Sequence, residues 1–172
     1  AVMPFMREVQ LHRGLVERVL NGDEPARANM QRTAAAADAA LASINEMDSR
    51  WGSDFETKEL VAFLNTEWPK ARDNATSTQD SSALHNSVIQ QGVFPLITTI
   101  ATESKLVLDP DLDNRSVIIA LTETLPRMTE ALSQMRIQGT GALVARRNMA
   151  PTQETRQFLA GLPANNALLW GS

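Results

Sequence analysis

The 172-residue chain has no cysteine, no tyrosine and only two histidines, His12 and His85. Thiol catalysis, disulfides and thiolate metal sites are therefore excluded, and much common acid–base machinery is missing. Aromatic residues make up 5% of the chain, too few for a β-sandwich, which leans on aromatic and β-branched strands. A basic excess is also missing: 16 Lys+Arg stand against 20 Asp+Glu, a net charge of −4, which argues against a free nucleic-acid binder. No run of about 18 apolar residues occurs, so no membrane span is expected. Ala1 to Phe5 has neither the charged start nor the long apolar centre of a signal peptide.

What is present is alanine in abundance, 43% apolar residues and a length suited to one domain with a sizeable core. Apolar residues recur at alternating intervals of three and four. No segment alternates with period two, so the pattern predicts an all-α fold. Phe5, Val9, His12, Val16 and Val19 form the first seam, with Pro4 at its start and Asn21-Gly22-Asp23 at its end. A second helix is expected over Glu24 to Met47, with Met30, Ala34, Ala37, Leu41 and Ile44 inward. Ser53 and Glu56 have capping-box spacing, which starts a third helix running to Asp73 with Leu60, Leu64, Trp68 and Ala71 inward. A fourth is expected over Ser82 to Leu108, through Ile89, Val93, Leu96 and Ile100. The fifth has the clearest seam: Ile118, Leu121, Leu125, Met128, Leu132, Met135, Gly139 and Ala142. It spans about 45 Å at 1.5 Å per residue and closes at Arg146-Arg147-Asn148. A last short helix is expected from Pro151 to Leu162. Together these predict an antiparallel bundle of long helices, of the four-helix type, with kinks near Pro69, Pro95 and Pro126.

Few residues in this pattern carry chemistry. His12 and Arg13 interrupt the first seam. They read either as interface residues or as a cationic spot facing an anion. Gly14 costs about 1 kcal/mol against alanine inside a helix, which asks for a reason such as close backbone approach. Arg127 can pair within its helix with Glu130 or Glu123, and Arg136 can be solvated. Alternatively, their planar forks suit a carboxylate or a nitrate-like anion. Thr98, Thr99 and Thr102 offer hydroxyls to an oxyanion or bond back to helix carbonyls. Asp109, Asp111 and Asp113 alternate but lack the glycine and bidentate glutamate of a calcium loop, and helix capping by Asp113 suits them better. Two histidines outside any Glu-x-x-His pair do not make a di-metal bundle. No nucleophile–base pair or phosphate-binding glycine loop is present, so no metal, cofactor or enzymatic activity is expected.

Two segments carry a family resemblance. Gln10-Leu11-His12-Arg13-Gly14-Leu15 followed by Val19-Leu20-Asn21-Gly22-Asp23 resembles the first helix of helical extracytoplasmic sensor regions in bacterial methyl-accepting chemotaxis proteins and related sensor kinases. Leu106-Val107-Leu108-Asp109-Pro110-Asp111-Leu112-Asp113, then Thr124 to Leu132 around Leu125-Pro126-Arg127, then Met135-Arg136-Ile137-Gln138-Gly139, resembles their later half. Asn114-Arg115-Ser116 stands where that family often carries aromatics. The arginine-glycine step of helix one is also similar to the nitrate- and nitrite-sensing helical domain. The resemblance implies a single helical sensor domain over residues 1–172, part of a longer membrane receptor whose membrane helices are absent from this chain. It further implies a periplasmic location, a homodimer and signalling by helix displacement. The ligand expected is a small anion held by Arg13 and Arg127, then His12, Arg136 and Thr102. The rival expectation is a helical docking or scaffold domain with no small ligand, marked by outward arginines and a broad exposed apolar patch.

Overall fold

A computed structural model describes residues 1–105 and 112–148, and every regular element among them is helical. The order is α1 (Val2–Leu20), a 3₁₀ turn (Glu24–Ala26), α2 (Arg27–Trp51), α3 (Lys58–Asp73), α4 (Thr78–Ser87) and a π turn (Val88–Val93) leading into α5 (Phe94–Glu103). Then follow α6 (Leu112–Ile119), a second π turn (Ala120–Thr124) and α7 (Leu125–Asn148). By compactness the chain divides into Ala1–Ile137 and Gln138–Ser172. Of the second unit residues 138–148 are described, and they are helical.

The core belongs to α1 through α5. Phe5, Met6 and Val9 meet Ala37, Leu41 and Ile44 of α2, Val61, Leu64, Trp68 and Ala71 of α3, and Val88 to Ile97 around the first π turn. The three-four spacing produces this directly, because it places one residue per turn on the same helix face. Of the first seam, Phe5, Val9, His12 and Val16 are all buried. α1 ends where the spacing expects: Gly22 takes φ +89°, and its N–H donates to the Val19 carbonyl. Asp23 does not cap the following turn. Its carboxylate accepts from Arg18 Nε at 2.8 Å instead.

Several boundaries differ from the sequence reading. α2 runs on to Trp51, and α3 starts at Lys58 rather than Ser53. Between them Glu56 sits at φ +51°, a left-handed conformation that a helix beginning at Ser53 cannot contain. Thr57 bonds Asp48 across this turn at 2.6 Å. The working cap lies elsewhere: Ser77 Oγ accepts from Asp80 N–H at 3.1 Å, and Asp80 accepts from Thr76 N–H at 3.0 Å. That pair starts α4 at Thr78, four residues ahead of the expected Ser82. The expected helix to Leu108 ends at Glu103, with Lys105 at φ +59°. Asp109 and the short helix after Pro151 lie outside the described residues. Pro69 lies inside α3, and each π turn ends just ahead of Pro95 or Pro126. A wider turn there accommodates a ring that has no N–H to give and would crowd the preceding carbonyl.

The largest departure concerns the clearest seam. Leu125, Met128, Leu132 and Met135 of α7 are all exposed, as is Leu121 in the preceding π turn. The face of α7 turned inward is polar: Glu130 and Ser133 are buried and Gln134 is half-buried. Pro126 is buried beside them.

Candidate functional site

Arg13 projects from the middle of α1 and is 1% exposed. Its Nη1 donates to Glu130 Oε1 at 2.7 Å and to Asn86 Oδ1 at 2.7 Å, and its Nη2 donates to Ser133 Oγ at 3.1 Å. Glu130 also accepts from Gln10 Nε2 at 2.9 Å and from Gln134 Nε2 at 2.8 Å. The guanidinium thus finds its anion inside the protein. This is a correction to the expectation of a cation waiting for a ligand. A buried charge is tolerated only when paired and hydrogen-bonded, and the Arg13–Glu130 pair, with Gln10, Asn86, Ser133 and Gln134 around it, meets that condition. Arg13 Nε is buried with no hydrogen-bond partner among the described residues.

His12, one residue earlier, points into a second part of the same polar layer. His12 Nδ1 lies 2.9 Å from His85 Nε2, and His85 Nδ1 lies 2.7 Å from the Ser81 carbonyl. A carbonyl only accepts, so His85 carries its proton on Nδ1, and His12 Nδ1–H donates to the free His85 Nε2. Both rings are neutral in this arrangement. Burial lowers the pKa of His12 to about 4, with nearby Asp73 and Asp38 opposing the shift and Arg72 adding to it. Burial lowers His85 to about 3. Trp68 packs edge-on against His12 at 5.2 Å, and its Nε1 donates to Asp38 at 2.6 Å. Asp38 accepts two further bonds from Arg72 Nη1, at 3.0 and 2.8 Å. His12 is therefore a core histidine held by α3 and α4.

The remaining expected site residues do not join this cluster. Arg127 is exposed and stacks over the Phe94 ring at 5.1 Å, rather than pairing with Glu130, which Arg13 has taken. Thr102 is exposed near the end of α5. Arg136 is exposed and lines a cleft of about 290 Å³ between α1 and α7, together with Arg7, Gln10, Leu11, Thr129, Leu132 and Ser133. Arg7 comes from α1, one helical turn before Leu11, and was not singled out in the sequence because it precedes the motif-bearing stretch. Gln10 and Ser133 are shared: each lines the cleft and bonds the Arg13–Glu130 pair beneath it. A second cavity of about 160 Å³ is walled by Val2, Ile44, Met47, Trp51, Val61 and Ile100 among others. Its lining has no Lys, Arg or His side chain and includes Asp48, so it suits an anion less well than the first cleft. Among the described residues no group of three or more His, Asp or Glu could hold a metal ion, and no helix is long and apolar enough to cross a membrane.

No protein-family model, no curated protein and no solved structure matches the chain.

Proposed function

We propose that the chain is the ligand-binding domain of a bacterial chemoreceptor or related sensor kinase, an extracytoplasmic binding module rather than an enzyme. On this reading the helices form an antiparallel four-helix-type bundle bent near Pro69, Pro95 and Pro126. The observation that carries the ligand assignment is the cleft between α1 and α7, which Arg7 and Arg136 line together with Ser133. The Thr129 hydroxyl also lines it but donates to the Pro126 carbonyl at 2.8 Å, so the guanidinium groups carry the match to a small carboxylate or a nitrate-like anion. Arg136 is thus kept as a ligand contact and Arg7 joins it, while Arg13 acts from beneath as a positioning residue. The anion would draw α1 and α7 together. A difference in affinity worth about 1–3 kcal/mol between two helix arrangements is enough for useful coupling.

The docking or scaffold reading remains the second, and a specific observation favours it: the exposed apolar face of α7. Thermal melts at constant ionic strength with nitrate, acetate, succinate and citrate separate the two. The sensor reading expects one anion to raise the melting temperature, by an amount equivalent to about 2.7 kcal/mol at a hundred times Kd, and Arg136→Ala to abolish the rise. No response to any of these anions favours the scaffold reading, and a response that Arg136→Ala leaves intact overturns the assignment of the anion to this cleft.

A further inference from the structure

The cavity of about 160 Å³ opens where the start of α1, the end of α2 and the α2–α3 turn meet α5. Ile44, Val61 and Leu96 form its depth and are 4%, 4% and 1% exposed, so it reaches into the core. Met47 and Trp51 line it too and are more than half exposed, which places the mouth beside them. Ala1 borders it as well. The wall is almost wholly carbon. Its polar groups are engaged with one another: Thr57 Oγ1 donates to Asp48 Oδ1 at 2.6 Å, Thr57 N–H to the Gly52 carbonyl at 3.1 Å, and Gly52 N–H to the Asp48 carbonyl at 2.7 Å. An ordered water needs about two to four polar partners, which such a wall does not supply.

We propose that this cavity is a binding site for a neutral molecule with a single aromatic ring. Three observations set the class of ligand. The first is size: dry cavities of about 150 Å³ with apolar walls hold benzene. The second is the aromatic part of the wall. The chain has three Trp, five Phe and no Tyr, and Trp51 and Phe55 both line this cavity. Their faces and edges match those of a guest ring. The turn that carries Phe55 holds the next residue, Glu56, at φ +51°, a conformation that side-chain-bearing residues keep only where the surroundings enforce it. The third is charge. No Lys, Arg or His side chain lines the cavity to attract an anion, and the Asp48 carboxylate already accepts from Thr57. At its depth Ile44, Val61 and Leu96 would strip water from a cation and return no hydrogen bond. The cavity shares no lining residue with the cleft between α1 and α7, so the inference stands apart from the anion reading.

Titration of the full chain, followed through the indole N–H signals by NMR, tests this. The Trp51 signal is assigned by its absence from Trp51→Phe. Benzene is expected to shift it to saturation. Cyclohexane, of similar size but without a π face, is expected to bind about two- to tenfold more weakly, the worth of one aromatic contact. Tetramethylammonium, a cation of similar size, is expected to leave the signal in place. Ile100→Trp fills the cavity from α5 and is expected to abolish the benzene shift. Should that variant lose its fold, Val2→Trp narrows the same cavity from the half-buried start of α1. Arg136→Ala, in the other cleft, is expected to keep the benzene shift whatever it does to anions. No saturable benzene shift overturns the proposal, as does a shift that both filling variants retain or that Arg136→Ala removes. Cyclohexane binding as tightly as benzene, or tetramethylammonium binding more tightly, overturns the class of ligand.

Discussion

Arg13 and Glu130, 117 residues apart in sequence, form an ion pair 2.7 Å long in which both side chains are almost wholly excluded from water. The pair joins α1 to α7, whose Leu125, Met128, Leu132 and Met135 are exposed and stand outside the core cluster. Removing one partner strands the other as a buried charge. Arg13→Met or Glu130→Leu alone is therefore expected to cost about 3–5 kcal/mol, and the double variant much less than the sum. Urea denaturation of the four proteins checks this. Additive losses would show that the pair does not act as a unit.

The two core histidines make stability depend on pH. In the unfolded chain each imidazole takes a proton near pH 6.5, whereas in the folded chain His12 waits until about 4 and His85 until about 3. Between these limits the unfolded state holds more protons, so stability rises with pH. The contribution is complete above pH 6.5 and is lost as the pH falls toward 4 and then 3. The slope reaches up to about 1.4 kcal/mol per pH unit for each histidine. Asp73, whose pKa is lowered by its hydrogen bond with Arg72, adds loss of the same sign at the acid end. His12→Gln is expected to flatten the slope of denaturation free energy between pH 6.5 and 4. An unchanged slope contradicts the neutral-pair assignment.

Two glycines make opposite predictions. A Cβ at Gly14 would meet Ile137 Cγ1 at 3.7 Å and Arg136 Nη2 at 3.9 Å, which are ordinary contacts. Close approach does not require that glycine, so Gly14→Ala is expected to stabilise by about 0.5–1 kcal/mol through helix propensity. A Cβ at Gly92 would overlap the Leu64 side chain and stand 3.2 Å from Phe63 Cδ1. Gly92→Ala is expected to cost about 1–3 kcal/mol by overpacking. Both follow from thermal or urea melts. A destabilised Gly14→Ala would mean that α1 and α7 lie closer than described.

The α1 seam and the inward residues of α2 and α3 were legible in the sequence because spacing alone decides which side chains share a helix face. Spacing could not say what covers that face. On α7 the same regularity marks a surface turned to solvent, and the inward face is polar because Arg13 needs a carboxylate there. Glu130 was visible as a neighbour of Arg127 three residues away, but no local rule links it to an arginine 117 positions earlier. His85 lacked a motif of its own, and its role appears only when α4 is laid beside α1. The Ser53–Glu56 spacing misled because a capping box needs the chain to enter in an extended conformation, which Ser77 has, with φ −143° and ψ 165°.

On the proposed function, the cleft between α1 and α7 receives a small anion on Arg7 and Arg136. Isothermal titration of the intact chain with nitrate, acetate, succinate and citrate tests it most directly, with Arg136→Ala and Arg127→Ala beside the wild type. Saturable heat is expected for at least one of these anions, lost in Arg136→Ala and retained in Arg127→Ala, whose wild-type guanidinium sits on Phe94. Absence of saturable binding, or binding that depends on Arg127 and not on Arg136, would contradict it.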